Sequence, residues 1–176
     1  MTIIWSGRDV TFQRAVSGQV TDVLSVLNEA ASWLHAHGID QWPARFEAAW
    51  VGQAIAQGET WLVLVSGDIA ATLTLDWSDT IWSDIPGTAG YLHRMAVRRW
   101  AAGLGGVLLR WAADATLAHG RSALRLDCVA SNGRLRAYYE AAGFVHCGNV
   151  MVGGTPGQRL DEGPVTLVSR YQRPLP

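Results

Sequence analysis

The run Val97-Arg98-Arg99-Trp100-Ala101-Ala102-Gly103-Leu104-Gly105-Gly106-Val107-Leu108-Leu109 constrains the fold most, because an apolar stretch of strand character passes through closely spaced glycines into one of helical character. Bare of side chains, Gly103, Gly105 and Gly106 let backbone N–H groups approach a ligand closely. A helix starting there offers its unpaired N-terminal donors and positive dipole end to an anion, and a pyrophosphate would suit the turn. Glycines at such a turn also permit close helix packing, so the motif alone leaves an anion cradle and a packing device both open. A triphosphate-binding loop would need Lys and then Ser or Thr after the last glycine, where Val107 and Leu108 stand. A dinucleotide fold would place its fingerprint after the first strand. This turn lies past the middle of the chain, which disfavours that reading although Asp127 stands about the right distance on.

Around the turn the hydrophobic spacing predicts a strand over Val10–Val16 and an amphipathic helix over Gly18–His37, with a turn at Gly38–Pro43 and a second helix opened by Pro43 and running to about Gln57. Thr60–Val65 and Ile69–Asp76 read as an antiparallel hairpin joined through Ser66-Gly67-Asp68, and Ser78–Gly90 as a long loop. Strands follow at Tyr91–Val97, Arg121–Val129, Phe144–Val152 and Val165–Gln172, and helices at Gly105–Ala118 and Asn132–Ala142. The order is that of a mixed α+β domain. A parallel crossover links the strands on either side of the glycine helix.

With 176 residues the length prior gives one domain, residues 1–176. A net charge of −1 supplies no pull toward nucleic acid or an anionic membrane, which leaves a small molecule or peptide as partner. Only Cys128 and Cys147 occur, with no paired spacing, so neither a disulfide framework nor a metal site is expected. All fourteen basic residues are Arg, a compositional habit that lowers the weight of any single Arg as a functional signal. Met1-Thr2-Ile3-Ile4-Trp5 lacks the character of a signal peptide and no apolar run reaches membrane-spanning length, so a soluble, cytoplasmic protein is expected. Residues 151–163, rich in Gly with Pro156, read either as an acceptor-side loop or as a plain connection.

The second informative stretch is Asn132-Gly133-Arg134-Leu135-Arg136-Ala137-Tyr138-Tyr139-Glu140-Ala141-Ala142-Gly143-Phe144. Asn132 suits a helix N-cap, Gly143 the residue that ends one, and Asn132 and Tyr139 lie two turns apart on one side. Taken with the strand ending Met95-Ala96-Val97 and the turn Ala102-Gly103-Leu104-Gly105-Gly106, this stretch resembles the GNAT superfamily of N-acetyltransferases, closely over residues 91–150 and by element order elsewhere. The resemblance implies a mostly antiparallel, twisted sheet of about seven strands with a parallel splayed pair, flanked by about four helices. It implies that the glycine turn holds the pyrophosphate of acetyl-CoA and that the backbone of Met95 and Val97 bonds the pantetheine arm. Asn132 would sit near the thioester end, with Tyr138 beside it, and Tyr139 would protonate the departing thiolate. One departure stands out. Where the family carries Arg or Gln three residues before the first glycine, this chain has Trp100, and Arg98 or Arg99 is the expected substitute.

Acetyl transfer to an amine needs a neutral nucleophile, a donor for the carbonyl oxygen and a proton for the leaving group. Tyr139 is the expected acid. Asp127, twelve residues before it, is the first choice of base, because some relatives place a catalytic Glu at that spacing. His93, read by strand alternation as sharing a face with Met95, is the second. The acceptor pocket is expected from the first two helices, the turn at Gln41-Trp42, and the carboxylates Asp76, Asp79 and Asp84, with Trp33, Trp42, Trp77 and Trp82 as walls. Three functions stay open: acetylation of a small primary amine, acetylation of a protein N-terminus or lysine, and acyl-CoA sensing without turnover. A homodimer is compatible with each.

Overall fold

The computed structural model of the chain describes residues 3–153 and 165–176, so most of the Gly-rich segment around Pro156 lies outside the described residues. One eight-stranded sheet runs through it in the order β1-β2-β3-β4-β5-β6-β8-β7. The strands are β1 (Ile3–Trp5), β2 (Arg8–Arg14), β3 (Thr60–Val65), β4 (Asp68–Asp76), β5 (Ala89–Val97), β6 (Ala123–Val129), β7 (Val145–Gly153) and β8 (Val165–Pro174). Every neighbouring pair is antiparallel except β5 and β6. Four helices, α1 (Val20–Ala36), α2 (Ala48–Ala56), α3 (Gly105–Ala118) and α4 (Gly133–Ala141), cover the two faces.

The mixed fold and its parallel pair match expectation, and β1 is an addition. It is only three residues long, too short for its alternation to register, and it folds back on β2 through Ser6 and Gly7, both at positive φ. The second helix starts later than Pro43. Asn28 Oδ1 of α1 accepts the Phe46 N–H at 2.7 Å and the Phe46 ring is buried, so the chain is drawn across α1 as irregular backbone until Ala48. The Ser78–Gly90 segment carries a single 3-10 turn, Thr80–Trp82, capped by Asp79, and its last two residues already belong to β5.

Apolar alternation sorts the strands onto two cores. On one face Val63, Leu73, Leu92, Leu124 and Leu126 pack with Leu104, Leu108 and Ala112 around α3, and with Tyr139 of α4. On the other, Leu62 and Ala96 pack with Val23, Val26, Leu27 and Ala31 of α1 and with Val51 and Ile55 of α2. Burying a Leu or Val side chain is worth about 1.5–3 kcal/mol, which makes these faces the main support of the sheet.

Two irregularities in β5 matter for function. Thr72 faces Ala96 and Thr74 faces His93, so Arg94 and Met95 together stand opposite Leu73. This is a β-bulge, and Arg94 sits in it with φ 47. The bulge also overturns simple alternation. His93 shares a face with Thr74 on the α1 side while Met95 packs with Leu92 on the α3 side, so His93 and Met95 lie on opposite faces. The parallel pairing of β5 and β6 then runs only from Ala89↔Ala123 to Leu92↔Leu126, although β5 continues to Val97 and β6 to Val129. Beyond Leu92 the sheet is split.

Candidate active site

The split strands leave backbone groups without a neighbour. Arg98 N–H bonds Ala70 of β4, so by antiparallel alternation the N–H and C=O of Val97 and Met95 turn away from β4 into the gap, while Ala96 bonds β4 and is buried. Across the gap, Ala130 N–H bonds Leu167 of β8, and Val129 N–H, turned away from β8, donates to Gln41 Oε1 at 3.2 Å.

At the mouth of the gap lies the glycine turn. Gly103 has φ 97, a region that L side chains rarely adopt, and Leu104 is fully buried, leaving only its backbone at the turn. No acceptor among the described residues takes the N–H groups of Gly103, Gly105 or Gly106, and all three stand at the start of a fourteen-residue helix. Ala102 lies beside them, exposed. Such a concentration of free donors at a helix N-terminus fits a pyrophosphate. A Cβ at Gly105 would lie 2.6 Å from the Tyr138 hydroxyl, so any side chain there would displace the end of Tyr138, which reaches over the turn. The expected substitutes for Trp100 are both otherwise engaged. Arg98 pairs with Glu29 and Ser25 of α1 and with the Ile69 carbonyl, and Arg99 lies over the Trp33 ring at 4.3 Å. Arg110, which sequence reasoning passed over, reaches back instead. Its Nη1 lies 3.7 Å from the place of a Cβ on Gly106, one helical turn before it, and the i to i+4 spacing was the available signal.

Asn132 caps α4 by accepting Leu135 N–H at 3.2 Å, and its Nδ2 donates to Gln41 at 3.1 Å. Tyr139 is buried against Phe144 and Tyr171. Its hydroxyl makes no hydrogen bond among the described residues, and burial together with the nearby Cys128 and Asp127 charges pushes it far above the usual phenol range. It is therefore a proton donor at any physiological pH. Tyr138, beside it, is raised by burial as well.

On the α1 face His93 stands among carboxylates. Its Nε2 is 3.3 Å from Asp76 Oδ2 and 3.7 Å from Asp79 Oδ2. Asp79, His93 and Asp127 each bring one ligating atom within 4.8 Å of the others, a spacing a small cation could bridge. Burial pulls the His93 pKa down, but the hydrogen bond to Asp76 and the charges of Asp76, Asp79 and Asp127 outweigh it, so the net shift is upward. Burial raises Asp127, helped by Asp79 and opposed by His93, and burial raises Asp79 as well.

The remaining expected acceptor residues divide. Asp84 is turned away and pairs with Arg170, which also holds the Ile81 carbonyl. Trp82 is buried with Arg125 and Arg170 over its ring, Trp77 stacks on His119, and Trp33 on His37, so these serve packing. Trp42 packs edge-on against Phe46, next to Gln41.

A sheet that opens at its parallel pair beside a helix start with free N–H groups, with Tyr139 on one face and carboxylates on the other, is the arrangement expected of an acyl-coenzyme transferase. Residues 25–144 match the Acetyltransferase (GNAT) family. The chain is 30% identical to the uncharacterized N-acetyltransferase YesJ of Bacillus subtilis, over 76% of this chain and 81% of that one. It superposes on a GNAT-family acetyltransferase of Listeria monocytogenes with a TM-score of 0.78, at 23% identity over 99% of this chain and 100% of the other. It also superposes on yncA of Salmonella typhimurium, solved with its cofactor acetyl-CoA, with a TM-score of 0.63 at 14% identity over 95% and 94% of the two chains. The chain belongs to the GNAT family and is an N-acetyltransferase.

Proposed function

We propose that this chain transfers the acetyl group of acetyl-CoA to the primary amine of a small molecule by direct attack in a ternary complex. The observation that carries the reading is the two-sided gap. The glycine turn, Tyr138 and Tyr139 lie toward the α3 face and His93, Asp79 and Asp127 toward the α1 face, so donor and acceptor enter from opposite sides and meet where β5 and β6 part.

Acetyl-CoA supplies the activated thioester. Gly103, Gly105, Gly106 and Arg110 hold its phosphates, with Ala102 and Leu104 shaping the turn, and the gap-facing backbone of Met95 and Val97 holds its amide arm, with Ala96 between them. A free N–H of that strand serves the carbonyl oxygen as charge develops. Asp127 takes the proton of the incoming amine. His93, whose pKa is raised because the hydrogen bond to Asp76 and the charges of Asp76, Asp79 and Asp127 outweigh burial, stands with Asp76 and Asp79 on the side where a cationic acceptor enters. Tyr139 returns a proton to the departing sulfur.

A small acceptor is favoured over a peptide because both segments bordering the acceptor side are fastened down. Arg125 holds the carbonyls of Ile85 and Pro86, Arg170 holds Ile81 and Asp84, and Gln41 bonds the end of β6. Segments held this firmly favour a compact acceptor over one that must be laid along an open groove. Thiol release from acetyl-CoA, measured with spermidine, tryptamine and an alanine-initiated hexapeptide, tests the reading. Release with either small amine is expected, release with the hexapeptide alone would reassign the acceptor to protein, and coenzyme binding without release would leave a sensor. Tyr139→Phe should lower turnover about 10²-fold or more while acetyl-CoA still binds, and unchanged turnover would remove Tyr139 from the role of acid.

A further inference from the structure

The connection between α1 and α2 is tied to the open end of the sheet through one side chain. Gln41 Oε1 accepts Val129 N–H at 3.2 Å and Asn132 Nδ2 at 3.1 Å. Both donors belong to the same wall. Val129 is the last residue of β6, and its N–H faces the gap because that of Ala130 is taken by β8. Asn132 commits Oδ1 to capping α4, which leaves its amide nitrogen to meet Gln41. Gln41 thus satisfies a buried strand donor where the adjoining strand has diverged. Its own Nε2 donates to nothing among the described residues, so the carboxamide is fixed through its oxygen and keeps an unused donor beside the acceptor side. Farther along, the same connection is held separately by Phe46, buried and bonded to Asn28, so losing Gln41 would loosen the turn without releasing the whole connection.

We propose that Gln41 is a positioning residue for the acceptor: by fastening residues 38–42 to the β6 wall it sets the shape of the acceptor pocket, and the coenzyme wall formed by β5 and the glycine turn does not depend on it. This rests on the acetyltransfer reading for its kinetic part and on hydrogen bonding alone for its structural part.

Gln41→Met removes the acceptor oxygen, and Gln41→Glu keeps an oxygen for both donors. For Gln41→Met the expected outcome is a rise of about tenfold in KM for the better amine of spermidine and tryptamine, with kcat and the acetyl-CoA Kd changed by no more than about threefold. Amide exchange at Val129 and across residues 38–42 should quicken in Gln41→Met and return toward wild type in Gln41→Glu, as should KM. Unchanged exchange at Val129 in Gln41→Met overturns the proposal, as does Gln41→Glu behaving like Gln41→Met. So does an acetyl-CoA Kd that rises in step with the amine KM, since Gln41 would then act on the coenzyme through Asn132. If the wild type releases no thiol with any amine, the acetyltransfer reading fails, and the exchange measurement still decides whether Gln41 is the fastening.

Discussion

At Asp127 three influences meet: burial raises its pKa, Asp79 raises it further, and His93 works against both. Because the folded pKa lies above the unfolded one, the folded chain binds this proton more tightly. The stability linked to it is complete below the ordinary carboxylate range and is lost as pH rises through the folded value. Above its raised folded pKa the ionised Asp127 is a destabilising charge kept in place, which is what a base at a reacting centre requires. Asp127→Asn should melt higher than wild type above the raised pKa of Asp127, with the gap closing as pH falls toward the ordinary carboxylate range. Its kcat/KM should fall and lose the acidic limb of the pH profile, measured by thiol release. A variant that melts lower above that pKa and keeps that limb would mark Asp127 as structural. The sign is the same for His93, since its raised pKa adds stability that fades as pH rises through the folded value.

At the scale of elements, the glycine turn separates backbone strain from ligand access. Gly103 needs positive φ and has open space about its Cα, so Gly103→Ala carries backbone strain of about 1–2 kcal/mol and should lower the denaturant midpoint. Gly105 has an ordinary helical backbone and meets only the far end of the half-exposed Tyr138 side chain. Gly105→Ala should thus leave stability nearly unchanged while displacing Tyr138, an expected coenzyme contact, from the turn and weakening acetyl-CoA binding, as titration calorimetry would show. These elements were legible in sequence because each rests on local chemistry: glycine spacing before α3, Asn132 as a side-chain cap, Gly143 after α4. The bulge at Arg94 was not legible, because it depends on which residue of β4 stands opposite. It reversed the face assigned to His93. Arg98 and Arg99 read as phosphate ligands for the same reason, since only the approach of α1 reveals Glu29 and Trp33 as their partners. Gln41 and Val129 lie 88 residues apart, beyond the reach of any periodicity.

Across the whole molecule, the gap at β5 and β6 removes hydrogen bonds from the middle of the sheet, and the two cores on either side must hold the halves together. Leu92, Leu124 and Leu126 do so with α3, while Ala96 and Leu62 do so with α1 and α2. The unpaired strand edges and the free glycine N–H groups are open only in the folded state, so a ligand that bonds them stabilises the fold by mass action. Acetyl-CoA at about 100 times its Kd should add about 2.7 kcal/mol, which for a chain of this size raises the melting temperature by about 5–10 °C. The shift should persist in Tyr139→Phe, whose hydroxyl acts after binding, and shrink in Gly105→Ala, whose fold is intact but whose Tyr138 is displaced from the cradle. If acetyl-CoA produced no shift in the wild type while the chain melted cooperatively, the gap would not be a coenzyme site.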